Sequence, residues 1–304
     1  MKNRRLKCSY LFVILTTVCF VAFCSSVGHT TDISEIGGNV MAVKNMFDHK
    51  DGQLIHCGDA DIYVESIGNS QAPVLILLHG GFGTIEDFNK VAPALSTKFH
   101  LIGIDSRGHG RSQLGTANLS YKLLTDDLTQ IISFLGLKKF HIFGFSDGGV
   151  VAYRYAIKQD ARLRKIVTVG ASWEMSESDP AWGMISGMTG EMWKEMFPHS
   201  YENYMRLNPK PDFDRFAIAV VKMWTDLSPD GHPGDLMSQI NNEVLIIRGD
   251  KDPLTSINSM GKLSGILKNM SLLNIPFAEH VAFDDSPEVF LGSVGKFLGA
   301  ELKN

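Results

Sequence analysis

Ser146 lies where a hydroxyl can become a nucleophile. The run GFSDGG at 144–149 follows the apolar FHIF and precedes the helix-like VVAYRYAI. A serine on so sharp a strand-to-helix turn strains the backbone and needs neighbours without Cβ atoms, which Gly144 and Gly148 provide. The helix start behind it favours developing negative charge. In that strand–turn–helix setting, G-x-S-x-G reads as the elbow that presents a catalytic serine. Without the setting, the same five residues would describe only a tight turn.

A hydroxyl attacks when a base removes its proton. Of the ten histidines, His280 alone falls after the last expected strand and before the terminal helix, on a loop that can lean back over the sheet. The bland alternative for a loop histidine is plain solvent exposure. A carboxylate orienting the base should follow the penultimate strand, where RGDKDP offers Asp250 and Asp252. Asp252 is preferred, because Gly249 gives the turn before it and Pro253 stiffens the loop after it. Asp250 then serves the turn.

Backbone N–H groups must meet the oxyanion of an acyl-transfer intermediate. The loop HGGFG at 79–83 follows the apolar VLILLH, so its donor is Gly81 or Phe82, joined by the N–H of Asp147. His79 reads as a turn residue, and the polar, glycine-rich loop at 103–112 as a brace whose charges are structural. No histidine pair has metal-ligand spacing, and neither metal nor cofactor is expected. Asp284 and Asp285 are expected to cap the last helix.

These groups need a scaffold. β-rich runs at 54–57, 62–67, 74–78, 99–104, 140–145, 166–169, 244–247 and 271–275 alternate with helical patterns. Such alternation predicts an α/β fold, a mostly parallel eight-stranded sheet flanked by helices. Tyr121, Leu124, Leu128, Ile131, Ile132 and Leu135 recur at helical spacing behind a Ser120 cap. Further helices are expected at 150–157, 260–267 and 287–298. The alternation stops at about 172–238, a stretch carrying Trp173, Trp182, Trp193, Trp224 and many methionines, which reads as an inserted helical cap. Each of these could simply pack the cap on the core, yet together they would suit a partly hydrophobic substrate.

Composition narrows the function classes. The 304 residues, 44% of them hydrophobic, suffice for one large core. The first ten residues hold Lys2, Arg4, Arg5 and Lys7 and no acid, so setting them aside moves the formal charge from −4 to −8. An acidic chain without a basic cluster has no electrostatic footprint for nucleic acid. That basic start, an apolar run at 10–23 and small residues beyond it read as a secretory signal peptide over 1–28, then a linker over 29–50 and the main domain over 51–304. The run is short of the roughly 20 residues of a membrane span. The expectation is a secreted or periplasmic protein without a span after signal removal. The alternatives are a retained anchor or a lipoprotein acylated at Cys24. Only Cys57 of the four cysteines lies beyond the signal, so no intrachain disulfide supports the mature fold.

With oxyanion loop, elbow, acid and histidine in that chain order, the sequence resembles the α/β-hydrolase superfamily across nearly its whole mature length. GFSDGG and RGDKDP are most similar to its valacyclovir hydrolase-like subgroup of small serine esterases. The resemblance implies a cap after the sixth strand, an acyl-enzyme intermediate and no cofactor. Glu279 departs from it, standing where relatives commonly have glycine before the histidine. Fold likeness alone leaves the reaction open. A serine at 146 argues against epoxide hydrolases and dehalogenases, which mostly use an aspartate there. The expected substrate is a small carboxylic ester. The alternatives are amidase or aminopeptidase chemistry, carbon–carbon bond hydrolysis, a binding protein that has lost turnover, and an anchored protein whose cap recruits a partner.

Overall fold

Runs dense in Val, Ile, Leu and Phe become strands because both faces of a central strand can be buried here. A computed structural model describes residues 44–302. The expected signal segment, Cys24 and most of the expected linker lie outside the described residues. Strands β1 (Gln53–Cys57), β2 (Ala60–Ile67), β3 (Val74–Leu78), β4 (His100–Ile104), β5 (Phe140–Phe145), β6 (Leu163–Val169), β7 (Glu243–Gly249) and β8 (Met270–Ile275) form one sheet. Their order is β1-β2-β4-β3-β5-β6-β7-β8. β2 runs antiparallel to β1 and β4, and every other pairing is parallel. Alternating residues feed two cores, Ile76, Ile102, Ile142 and Ile246 on one face and Leu75, Leu101, Phe143 and Ile247 on the other.

Helices α1 (Ala92–Ser96), α2 (Tyr121–Phe134) and α3 (Asp147–Ile157) cross between strands of the first half. Ser120 Oγ accepts the Leu123 N–H at the start of α2, as its position predicts. Between β6 and β7 the chain leaves the sheet for α4 (Trp182–Ile185), α5 (Gly190–Met196), α6 (Pro198–Leu207) and α7 (Phe213–Trp224). Trp173 Nε1 donates to Ser259 Oγ at 2.9 Å, tying the base of this excursion to α8 (Ile257–Ser264). α8 begins and ends three residues earlier than expected, stopping at Gly265. α9 (Ala282–Asp285) and α10 (Pro287–Leu298) close the chain.

Two expectations are corrected. The tail of the expected linker is part of the packed domain: Phe47 and His49 are buried, and Arg111 donates to the His49 carbonyl. Asp284 and Asp285 do not cap α10. Its first residue is Pro287, which has no N–H to cap, and Ser286 makes no side-chain cap. Instead Asp285 accepts the Glu279 N–H at 2.7 Å, fastening the His280 loop.

Candidate active site

At the end of β5 the chain reverses into α3 through Ser146, whose φ of +49° and ψ of −116° lie outside the ordinary regions. Such a conformation costs about 1–3 kcal/mol and persists only where surroundings enforce it. A Cβ on Gly144 would fall 2.4 Å from the Gly148 carbonyl oxygen, and one on Gly148 would fall 2.0 Å from that of Leu78. The Ser146 N–H donates to Val169 O at 2.8 Å and the Gly148 N–H to His79 O at 3.1 Å. The elbow is thus fixed to both β6 and the loop after β3.

His280 Nδ1 lies 3.0 and 3.1 Å from the two oxygens of Asp252, on the loop after β7. A carboxylate only accepts, so Nδ1 carries the proton and Nε2 keeps its lone pair. Asp252 is 6% exposed. Its carboxylate also accepts Thr255 Oγ1 at 2.5 Å and the Leu254 N–H at 2.8 Å. Burial works to raise this carboxyl, but the hydrogen bonds from His280, Thr255 and Leu254 outweigh it and hold it below the usual carboxylate range. Asp250 is exposed, and its N–H donates to Ile275 O. Gly249 opens the expected turn, its carbonyl accepting the Asp252 N–H at 3.2 Å, and it also permits close approach, since a Cβ there would meet the Glu279 and Ala278 carbonyls at 2.1 and 2.3 Å. Gly170, at φ +59°, backs the histidine, with its absent Cβ 2.8 Å from the imidazole. Glu279 is exposed and contributes its backbone to this junction.

Ser146 and His280 line one cavity of about 450 Å³, mouth included, with Val150, Met175, Ile185 and Leu254 among its apolar walls. The Ser146 hydroxyl makes no hydrogen bond to a side chain among the described residues.

Opposite the elbow, Phe82 adopts φ +58°. His79 Nε2 accepts the Ser106 N–H at 2.9 Å, so Nδ1 is the protonated nitrogen and donates to Gly80 O at 2.7 Å. Burial lowers the His79 pKa and keeps the ring neutral, which fits a turn residue rather than a second base. The Phe82 ring stacks on Trp193 at 4.1 Å, while Ser200 Oγ donates to Phe82 O at 2.8 Å. Asp147 is buried, and its carboxylate receives Tyr121 Oη at 2.8 Å and Trp224 Nε1 at 2.9 Å from each oxygen. Burial raises this carboxyl above the usual range, against both donors.

The charges of the loop at 103–112 are structural. Arg107 makes a two-pronged pair with Asp127 at 2.8 Å, and Asp105 accepts the N–H groups of Ile85 and Arg111. Sequence reasoning missed Thr255, Gly170, Tyr121 and the inward role of Trp224. Only Thr255 left a readable trace, a hydroxyl three residues beyond the aspartate it braces.

Residues 73–218 match the family model for the alpha/beta hydrolase fold. A pimeloyl-[acyl-carrier protein] methyl ester esterase from Nitrosomonas europaea is 26% identical over 256 residues, covering 76% of this chain and 97% of that protein. Shorter matches are stronger in identity but partial. A fluoroacetate dehalogenase from Burkholderia sp. is 29% identical over 117 residues, and the chain spans only 38% of its length. Another relative, 31% identical over 100 residues, is spanned over 34% of its length. Among solved structures, a meta-cleavage product hydrolase from Pseudomonas fluorescens superposes with a TM-score of 0.69 at 20% identity, over 82% of this chain and 97% of that one. The chain thus has the α/β-hydrolase fold, and residues 73–218 are similar to proteins of that fold.

Proposed function

We propose that the protein is a serine hydrolase that cleaves small carboxylic esters through an acyl-enzyme. The observation that carries this reading is the placement of Ser146, on a strained turn at a helix start, in one cavity with a histidine whose Nδ1 is held by Asp252. Ser146 Oγ attacks the acyl carbon as its proton passes to His280 Nε2, and Asp252 stabilises the resulting imidazolium. The tetrahedral oxyanion is met by the N–H of Asp147 and that of Gly81 or Phe82. Collapse expels the alcohol, which takes the proton from His280. Water then repeats the sequence on the acyl-enzyme and releases the acid.

The likeness to a methyl ester esterase over most of its length supports ester chemistry. The similarity of GFSDGG and RGDKDP to the valacyclovir hydrolase-like subgroup supports a small substrate, and the apolar cavity walls support a partly hydrophobic one. The basic start and apolar run before residue 28 support export, to the periplasm or beyond.

A fluorophosphonate probe tests the nucleophile. Covalent labelling of a single peptide containing Ser146, lost in Ser146→Ala, is the expected result. An unlabelled, folded protein would instead favour a binding module that keeps the fold without turnover.

A further inference from the structure

One cap residue touches both halves of the proposed oxyanion hole. Trp224 ends α7, and its indole N–H donates to both oxygens of Asp147, the residue that follows Ser146. Its ring lies against Gly81, where a Cβ would come within 2.6 Å of Trp224 Cζ2 and 2.7 Å of Asp147 Oδ2. The ring also meets Phe82 edge-on at 5.6 Å. We propose that Trp224 is a positioning residue, setting the spacing between the 81–82 and 147 N–H groups and keeping the Asp147 carboxylate turned from the developing oxyanion. This rests on the serine-hydrolase reading.

The physical problem it answers is electrostatic. Asp147 would offer its N–H to an oxyanion while carrying a carboxylate on the same residue, and like charges at close range in a dry site repel. Trp224 and Tyr121 are the side chains that donate to that carboxylate. They spread its charge and point it at the cap. His280 also acts on it through space, favouring its ionised form.

The test compares wild type with Trp224→Phe, Asp147→Asn and the double variant, on p-nitrophenyl acetate from pH 6 to 9. A complete oxyanion donor is worth about 10²–10³ in rate, so a misplaced one should lower kcat about tenfold in Trp224→Phe, with KM little changed. The deficit should widen as pH rises and the unpartnered carboxylate ionises. Asp147→Asn should remove that pH dependence in the Trp224→Phe background, a rescue that a purely structural tryptophan would not show. A Trp224→Phe enzyme with wild-type kcat at every pH overturns the proposal, as does a deficit of equal size at every pH that Asp147→Asn does not relieve. Wild type that neither turns over nor reacts with a fluorophosphonate overturns the hydrolase reading itself, and this inference with it.

Discussion

Thr255 fixes Asp252 as Asp252 fixes His280. A hydrogen bond to a charged group is worth about 1.5–3 kcal/mol, so Thr255→Val should lower kcat about tenfold while Thr255→Ser retains it. The hydroxyl also helps depress the Asp252 pKa. Its loss raises that pKa, so the acidic limb of the rate profile should move to higher pH, which a kcat/KM series from pH 4 to 8 would reveal. Gly170 makes a sharper test. An alanine there would hold a left-handed φ at a cost of about 1–2 kcal/mol, and its Cβ would press on the imidazole 2.8 Å away. Gly170→Ala should leave a folded protein by circular dichroism with turnover reduced about a hundredfold or more, because small misplacements of a reacting group cost that much. Ser146, His280 and Asp252 were legible as candidates because the proposed chemistry demands a residue type at a set point in the chain order. Thr255 and Gly170 were not, since each matters only through a contact that forms after folding.

At the scale of elements, the strands were readable from apolar runs and α2 from its periodicity and cap. The segment before β1 was not. Its polar composition reads as linker, yet Phe47 fills the space above Gly103, and His49 spans Glu86 at 2.6 Å and Asp105 at 2.9 Å. Burial opposes protonation of His49, but the two carboxylates outweigh it and raise its pKa. The stabilisation is then full below the unfolded value of about 6.5 and is lost as pH rises through the higher folded value. Melting curves of wild type and His49→Gln should differ most near pH 6 and converge as pH increases. Phe47→Ala should cost about 3–5 kcal/mol in denaturant unfolding, the usual range for a buried phenylalanine. A near-neutral result would mean that this segment is not docked in solution. The helices between β6 and β7 were legible only as an interruption. Their order and their aromatic contacts with Phe82 depend on tertiary packing that no local pattern encodes.

Over the whole molecule, two cores on opposite faces of one sheet hold the fold, and Cys57 is the only cysteine among the described residues. Burial pushes its thiol up to about 11. The folded protein lacking residues 1–28 should therefore react with a thiol reagent only after denaturation, and its melting temperature should not change with reductant. Rapid native labelling would show that the β1 end opens readily. The sheet's main product is the convergence of three loops, after β5, β7 and β8, on one cavity. That convergence is tested most directly by hydrolysis of p-nitrophenyl esters from acetyl to longer acyl chains by wild type, Ser146→Ala and His280→Ala. Turnover of short esters that both substitutions abolish is the predicted result. Turnover that persists in folded Ser146→Ala would contradict the account.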